Sequence, residues 1–140
     1  VHDGLTGIPG SFRAALQGIR ALREAGVAVQ TNTTLNRRNA ETMERLPGFL
    51  KGIGILKFSM NLFIPTGLGS ENDELFFPYS ETGPVIERVW KKARELELEF
   101  SWYSPIPHCY FNPVARGLGN KSCAAVDGLL SVSPAAEVLP

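Results

Sequence analysis

Helical and extended patterns alternate along this 140-residue chain, and the alternation predicts an α/β protein with a parallel sheet. A helix is predicted from Ser11 to about Leu22, and a strand rich in β-branched residues follows from Val27 to Leu35. Later segments, Leu56 to Ile64 and Glu99 to Tyr103, are typical of strands and flank a helix from about Gly83 to Leu96. Periodicity alone is consistent with both an open sheet and a barrel.

The boundaries of these elements follow from local signals. Ser11 can cap the first helix, and Gly26 suits its end because glycine accepts a positive φ. Asn39 is expected to cap a second, shorter helix, which the pair at 47–48, Pro-Gly, interrupts. Pro84 suits the first turn of the third helix, where its missing N–H costs nothing.

The amino-acid composition limits the kinds of partner that the protein is expected to bind. The chain is 44% hydrophobic and 20% charged, with 14 basic and 14 acidic residues, so its formal net charge is zero. A neutral chain has no general attraction to nucleic acid or to anionic membranes, and no run approaches the ~20 apolar residues of a membrane span. We therefore expect neither as a partner and predict a cytoplasmic protein. The opening residue, Val1, indicates a segment cut from a longer chain.

Polar side chains stand where two predicted strands end. Gln30, Asn32 and Asn36 lie along or after the first strand. On the second strand, Ser59 and Asn61 share a face with Lys57, whereas a parallel strand buried on both sides is nearly continuously apolar. The pattern indicates a polar cavity or cofactor on that side, or an open edge of the sheet, and ligands bind at this end of the strands in either architecture.

The C-terminal stretch shows a pattern of turns and short strands that differs from the rest of the chain. Cys123 precedes a predicted turn at 127–128, a short strand, a second turn at Pro134 and another strand. This order predicts a β-hairpin with a thiol at its root. Cys109 is the other cysteine of the chain.

Together these stretches resemble radical S-adenosylmethionine (SAM) enzymes that carry a SPASM-type C-terminal extension. The resemblance covers essentially the whole chain. The stretches that carry it are His2-Asp3-Gly4-Leu5-Thr6-Gly7, Val29-Gln30-Thr31-Asn32-Thr33-Thr34-Leu35, Asn61-Leu62-Phe63-Ile64-Pro65-Thr66-Gly67 and the run from Cys123 to Pro140.

The resemblance implies a fold, two parts and a chemistry. Residues 1–104 would be the second half of a partial (β/α) TIM-type barrel, and residues 105–140 a linker with the start of a small Cys-containing hairpin domain. The parent enzyme would cleave SAM to a 5′-deoxyadenosyl radical for hydrogen abstraction, in peptide, protein or cofactor maturation. Its partners would be a one-electron reductant and a small-molecule or peptide substrate, and this segment alone would be inactive.

The same resemblance implies site residues, although it assigns no catalytic residue here. Cys123, and more weakly Cys109, would be ligands of an auxiliary [4Fe–4S] cluster. The SAM-binding cluster would be held outside this segment, because the family's Cys-x-x-x-Cys-x-x-Cys loop is absent. The candidates for the ribose and adenine wall are Thr31, Asn32, Thr33, Thr34, Asn61, Phe63 and Pro65.

The sequence departs from the SPASM pattern at some positions, and two alternative interpretations of its function stay open. Ala136 stands where the SPASM pattern has a glycine, and the sequence ends before the next expected cysteine. One alternative is a small non-redox α/β ligand-binding module. Another is a structural zinc site at His108, Cys109 and Cys123, which lacks the fourth donor that zinc needs.

Overall fold

Three parallel strands form the centre of the molecule, in a computed structural model that describes residues 1–119 and 131–139. The strands stand in the order β1-β2-β3, so each neighbour pair is joined by a crossover that contains helical turns. Their bounds are Thr31–Leu35 for β1, Lys57–Leu62 for β2 and Glu99–Trp102 for β3. The predicted α/β class with a parallel sheet is confirmed.

Helices and short 3₁₀ turns fill the connections. The α-helices are α1 (His2–Thr6), α2 (Ser11–Glu24), α3 (Leu46–Gly52) and α4 (Tyr79–Glu95). The 3₁₀ turns are Ala40–Arg45, Gly67–Glu71, Asp73–Leu75 and Val114–Arg116. In the part of the chain that the structure describes, no helix is both long and apolar enough to cross a membrane.

The sheet has one apolar face, and the core lies against it. Phe58 and Phe100 are register partners on β2 and β3, and their rings stack with centroids 4.8 Å apart. Met60 and Trp102 form the next pair on that face, and all four side chains are buried. Helices α3 and α4 and the turn Ala40–Arg45 cover this face. They supply further buried apolar residues, among them Met43, Leu50, Val85, Ile86, Val89 and Ala93.

Helix α4 begins earlier than its sequence signals predict. Its first residue is Tyr79, so Pro84 lies inside the helix instead of in its first turn. The neighbouring Gly83 explains how this stretch remains packed, because a Cβ placed there would lie 2.7 Å from the carbonyl oxygen of Tyr110. The close approach of the 105–119 segment therefore depends on glycine at this position. That segment joins the core through Ile106, Phe111 and Leu118.

The second helix also differs from the prediction. Asn39 caps no helix with its side chain, and it precedes the 3₁₀ turn Ala40–Arg45. Pro47 does not interrupt a helix but occupies the first turn of α3, where its missing N–H is tolerated. The strand predicted from Val27 is paired only from Thr31 onward.

Helix α2 is capped by a residue that is distant in sequence. The carboxylate of Asp3 accepts hydrogen bonds from the backbone N–H of Phe12 at 2.8 Å and of Gly10 at 2.7 Å. It also accepts one from the hydroxyl of Ser11 at 2.9 Å. Asp3, on α1, thus takes the capping role that the sequence assigned to Ser11.

The C-terminal strands form a separate hairpin. β4 (Ser131–Val132) and β5 (Val138–Leu139) pair antiparallel across a turn in which Ala136 has a φ of 61°. A hairpin at this place in the sequence is confirmed. Its predicted root, Cys123 and the turn at 127–128, lies outside the described residues.

The tight packing at Gly83 predicts a large cost for one added methyl group. Gly83→Ala is expected to lower the free energy of unfolding by about 1–3 kcal/mol, because the Cβ would overlap the Tyr110 carbonyl oxygen. Gly18→Ala, on α2, meets nothing within 4 Å and is expected to be neutral or stabilising by up to ~1 kcal/mol. Urea unfolding measures both, and equal effects of the two variants would contradict the predicted overlap.

The capping by Asp3 predicts a dependence of stability on pH. The hydrogen bonds from Phe12, Gly10 and Ser11 lower the pKa of Asp3 below its ordinary value of 3.8. A lowered folded-state pKa stabilises the fold above the unfolded value, and this contribution is lost as the pH falls through the folded value. Unfolding free energies measured from about pH 6 down to about pH 2 should therefore fall more steeply in the wild type than in Asp3→Asn.

A control separates this contribution from general acid destabilisation. Glu71 is an exposed carboxylate with no hydrogen bond assigned to it in the described structure. Glu71→Gln should therefore keep the wild-type slope below about pH 4. A wild-type slope in Asp3→Asn as well would show that the carboxylate of Asp3 does not carry the effect.

Candidate functional site

The face of the sheet opposite the core carries short polar side chains. The register places Asn32 of β1 beside Ser59 of β2, and Thr34 beside Asn61. Paired residues of neighbouring strands share a face, so these four side chains form one patch. Ser59 is buried, whereas Asn32 and Thr34 are exposed. Because β2 has a paired strand on each side, Lys57 and Ser59 do not lie at an open edge of the sheet.

Hydrogen bonds join the patch into one network. The hydroxyl of Ser59 donates to Asn32 Oδ1 at 2.9 Å, and Asn32 Nδ2 donates to Asn61 Oδ1 at 2.8 Å. Thr34 Oγ1 lies 3.3 Å from the same oxygen of Asn61 and donates to it. The Asn61 oxygen is thus used twice. Within the described residues its amide nitrogen has no assigned partner, so its N–H groups can bind a ligand.

An open pocket begins at this patch and continues around the free edge of β1. Its volume is about 920 Å³. Asn32, Thr34 and Phe63 line one part, and Leu75 contributes from the segment after β2. Apolar and charged side chains from the helices line the rest, including Leu5, Phe12, Met43, Leu46, Phe49, His2, Asp3 and Arg45. Long-range packing brings these last residues to the site, and none of them was among the site residues that the sequence implied.

The seven residues predicted to form the ribose and adenine wall do not all lie together in the structure. Asn32, Thr34 and Asn61 are joined in the network, and Phe63 lines the pocket beside them. Thr31 and Thr33 lie on the opposite face, in register with Phe58 and Met60. Thr33 still lines the pocket at the strand edge.

The remaining two positions stand apart from the network. Pro65 is exposed and does not line the pocket. The hydroxyl of Thr31 is buried and has no hydrogen-bond partner in the described part of the molecule.

Asn36 and Asn39 build a rigid polar turn at the end of β1. Asn39 Oδ1 accepts the backbone N–H of Asn36 at 2.9 Å, and Asn39 Nδ2 donates to the carbonyl oxygen of Thr34 at 2.9 Å. Asn36 Oδ1 accepts the backbone N–H of Arg38 at 3.0 Å. Both asparagines are buried. Their side chains are therefore used by the backbone, and Asn36 is not the free polar group at the sheet mouth that the sequence indicated.

Two arginines project from this turn. The guanidinium of Arg37 makes two hydrogen bonds to Glu81, at 2.7 and 3.2 Å, and lies over the ring of Phe77. These hydrogen bonds lower the pKa of Glu81 and raise the pKa of Arg37. Arg38 pairs with Glu74 at 2.9 Å. The end of β1 is thereby connected to the segment between β2 and α4.

The predicted metal ligands are only partly covered by the structure. Cys109 is exposed and forms no disulfide with any residue that the structure describes. Among residues 1–119 and 131–139, no group of three or more His, Cys, Asp or Glu side chains is placed to hold a metal ion. Cys123 lies outside those ranges.

Comparison with known proteins gives three curated relatives, each named AdoMet-dependent heme synthase. The relative from Nitratidesulfovibrio vulgaris is 36% identical over 111 residues, which is 78% of this chain and 29% of the relative. The relative from Methanosarcina barkeri is 38% identical over 74 residues, 53% of this chain and 21% of the relative. That from Oleidesulfovibrio alaskensis is 32% identical over 71 residues, 51% of this chain and 18% of the relative.

The resemblance to radical SAM enzymes is confirmed. The chain spans less than a third of the length of each of these radical SAM relatives. No family model matches the chain, and no solved structure matches it.

The buried asparagine turn gives a testable prediction. Asn39→Ala would leave the Asn36 N–H without its acceptor and the Thr34 carbonyl oxygen with only the longer bond from Asn36 Nδ2 at 3.4 Å, at a cost of about 1–3 kcal/mol in unfolding free energy. Asn112→Ala also removes a side-chain acceptor of a backbone N–H, that of Ala115, but at an exposed site. Chemical denaturation should show a clearly smaller loss for Asn112→Ala, and an equal loss would contradict the role given to the turn.

Proposed function

We propose that this chain is part of a radical SAM enzyme and that the polar patch of β1 and β2 binds the adenosine part of SAM. The observation that carries the proposal is the hydrogen-bonded network of Asn32, Ser59, Asn61 and Thr34 on the open face of the sheet. The similarity to three AdoMet-dependent heme synthases supports it.

The chemistry of the patch fits a nucleoside. Ribose hydroxyls and adenine nitrogens need neutral donors and acceptors at short range, and the patch offers amides and hydroxyls that already hold one another in place. The amide nitrogen of Asn61 supplies a donor, and the exposed hydroxyl of Thr34 supplies an acceptor. Bound at a [4Fe–4S] cluster, SAM would supply a 5′-deoxyadenosyl radical for hydrogen abstraction from the substrate. The residues described here would orient the nucleoside and limit the access of water.

The larger architecture is part of the same proposal. We expect β1, β2 and β3 to be three strands of a (β/α) barrel whose polar inner face is the patch. Two observations support this: the helices α3 and α4 cover only the apolar face, and the outer edge of β1 is unpaired within the described residues. A further parallel strand along β1 would also cover helix α2, which buries none of its own residues here.

The substrate that we propose is a tetrapyrrole precursor of heme. The relatives are named as heme synthases, and of the roles implied by the sequence resemblance this is cofactor maturation. In the proposed barrel, a strand beside β1 would fill the part of the pocket at the free edge of β1, so the substrate would bind where Phe63 and Leu75 line the pocket. The aromatic ring of Phe63 suits a flat macrocycle.

The tail is proposed to hold an auxiliary cluster. Cys123 would be one thiolate ligand and Cys109 a second, with further ligands supplied from elsewhere in the parent protein. The antiparallel pairing of β4 with β5 supports this proposal, because the resemblance implies a hairpin after Cys123.

Binding of SAM tests the proposal directly. In the anaerobically purified parent protein, Asn61→Ala is expected to weaken SAM binding roughly threefold to tenfold, because it removes a donor and the acceptor that holds Asn32 and Thr34. Calorimetric titration with SAM measures the affinity. Thr31→Val is the matched control, since it changes the same strand pair on the opposite face and should leave the affinity unchanged.

Two results would reject parts of this proposal. Equal loss of affinity in Thr31→Val and Asn61→Ala would reject the polar patch as the adenosine site. A wild-type parent protein that neither binds SAM nor forms 5′-deoxyadenosine under reduction would reject the enzyme function. It would favour the non-redox ligand-binding module.

A further inference from the structure

Residues 67–78, here called the wall loop, connect β2 to α4 and close one side of the pocket. The wall loop contains the 3₁₀ turns Gly67–Glu71 and Asp73–Leu75. Leu75 lines the pocket, and Gly69 packs against the ring of Phe63, where an added Cβ would approach the ring to 3.2 Å. The wall loop thus adds an apolar side to a pocket whose sheet side is polar.

Arg37, in the turn after β1, contacts the wall loop in two ways and helix α4 in a third. The backbone N–H of Arg37 donates to the carbonyl oxygen of Leu75 at 3.0 Å. Its guanidinium lies 5.0 Å from the ring centroid of Phe77, which is buried. The same guanidinium forms the two-pronged pair with Glu81 in the first turn of α4. Arg37 therefore fixes both the end of the wall loop and the helix that follows it.

The direction of Arg37 is itself fixed. The hydrogen bonds of the buried Asn36 and Asn39 hold the turn that presents it. The adjacent Arg38 adds a pair with Glu74 inside the wall loop. A rigid turn at the end of β1 is in this way coupled to the opposite side of the pocket.

These contacts are poorly placed to add global stability. The side chains of Arg37 and Glu81 are 47% and 50% exposed, and ion pairs with such exposure contribute little to folding. Their geometry is nevertheless specific, because a planar guanidinium that binds both carboxylate oxygens fixes an orientation. The arrangement is better suited to positioning the wall loop than to stabilising the fold.

We propose that Arg37 is a positioning residue that holds the wall loop, with Leu75, as the apolar wall recognising the tetrapyrrole. The proposal rests on the function proposed above and concerns the second substrate of that enzyme. SAM is expected to contact the polar patch on the sheet, which Arg37 does not touch. Loss of Arg37 should therefore separate the two affinities.

The experiment uses the parent protein with SAM and with heme as the tetrapyrrole probe. Arg37→Gln keeps a polar side chain but loses the charge and the planar fork. It is expected to weaken heme binding, followed by the Soret absorbance, roughly threefold to thirtyfold. SAM affinity should change less than about twofold, and the midpoint of urea unfolding should stay close to the wild type. Arg37→Lys should recover only part of the loss, because it cannot bind both carboxylate oxygens.

A reciprocal pair of variants tests the contact itself. Arg37→Glu and Glu81→Arg should each weaken heme binding, and the double variant should recover a substantial part of it. Lys92→Ala is the matched control, since it removes an exposed pair with Glu95 on the same helix α4 but away from the wall loop. It should leave both affinities unchanged.

Hydrogen exchange without any ligand separates failure of this inference from failure of the proposed function. Backbone amides of residues 67–77 should exchange faster in Arg37→Gln than in the wild type or in Lys92→Ala. Unchanged exchange and unchanged heme affinity would overturn the role of Arg37, whether or not SAM binds. A wild type that binds neither SAM nor heme would overturn the proposed function, while faster exchange in Arg37→Gln would still support the positioning of the wall loop by Arg37.

Discussion

The central strand, β2, is hydrogen-bonded to a parallel neighbour on each side, and the rest of the molecule depends on this constraint. With both edges paired, the strand cannot slip by one residue without turning its apolar side chains to the opposite face. Phe58 and Met60 therefore stay against the helices, and Ser59 and Asn61 stay on the open face. The register then brings Asn32 and Thr34 of β1 to the side chains with which they hydrogen-bond.

This constraint explains how well each strand could be predicted from the sequence. In β2 the alternation of apolar and polar residues is strict, so the polar face was visible in the sequence. In β1 the run Thr31 to Thr34 is polar at every position, and its two faces cannot be told apart without a register. The predicted wall therefore included Thr31 and Thr33, which the fold turns to the opposite face.

Helix boundaries failed where contacts distant in sequence outweighed local signals. Ser11 has the residue type of a cap, but the carboxylate of Asp3 reaches the same N–H groups from α1. Pro84 has the residue type of a first turn, yet the helix begins at Tyr79, and Gly83 beside it admits the backbone at Tyr110. Asn36 has the residue type of a ligand-binding amide and Asn39 that of a helix cap, but both side chains hydrogen-bond to the backbone of the turn after β1.

The asparagine turn links the two halves of the candidate site. A loop outside a sheet keeps a defined position only if something rigid holds it, and exposed ion pairs alone are weak. Here both asparagines of the turn are buried, and their amides are fixed by the backbone at the end of β1. The same strand carries Asn32 and Thr34 on its open face. A shift of β1 would therefore move the polar patch and the wall loop together, so the geometry between the two sides of the pocket is set by one strand.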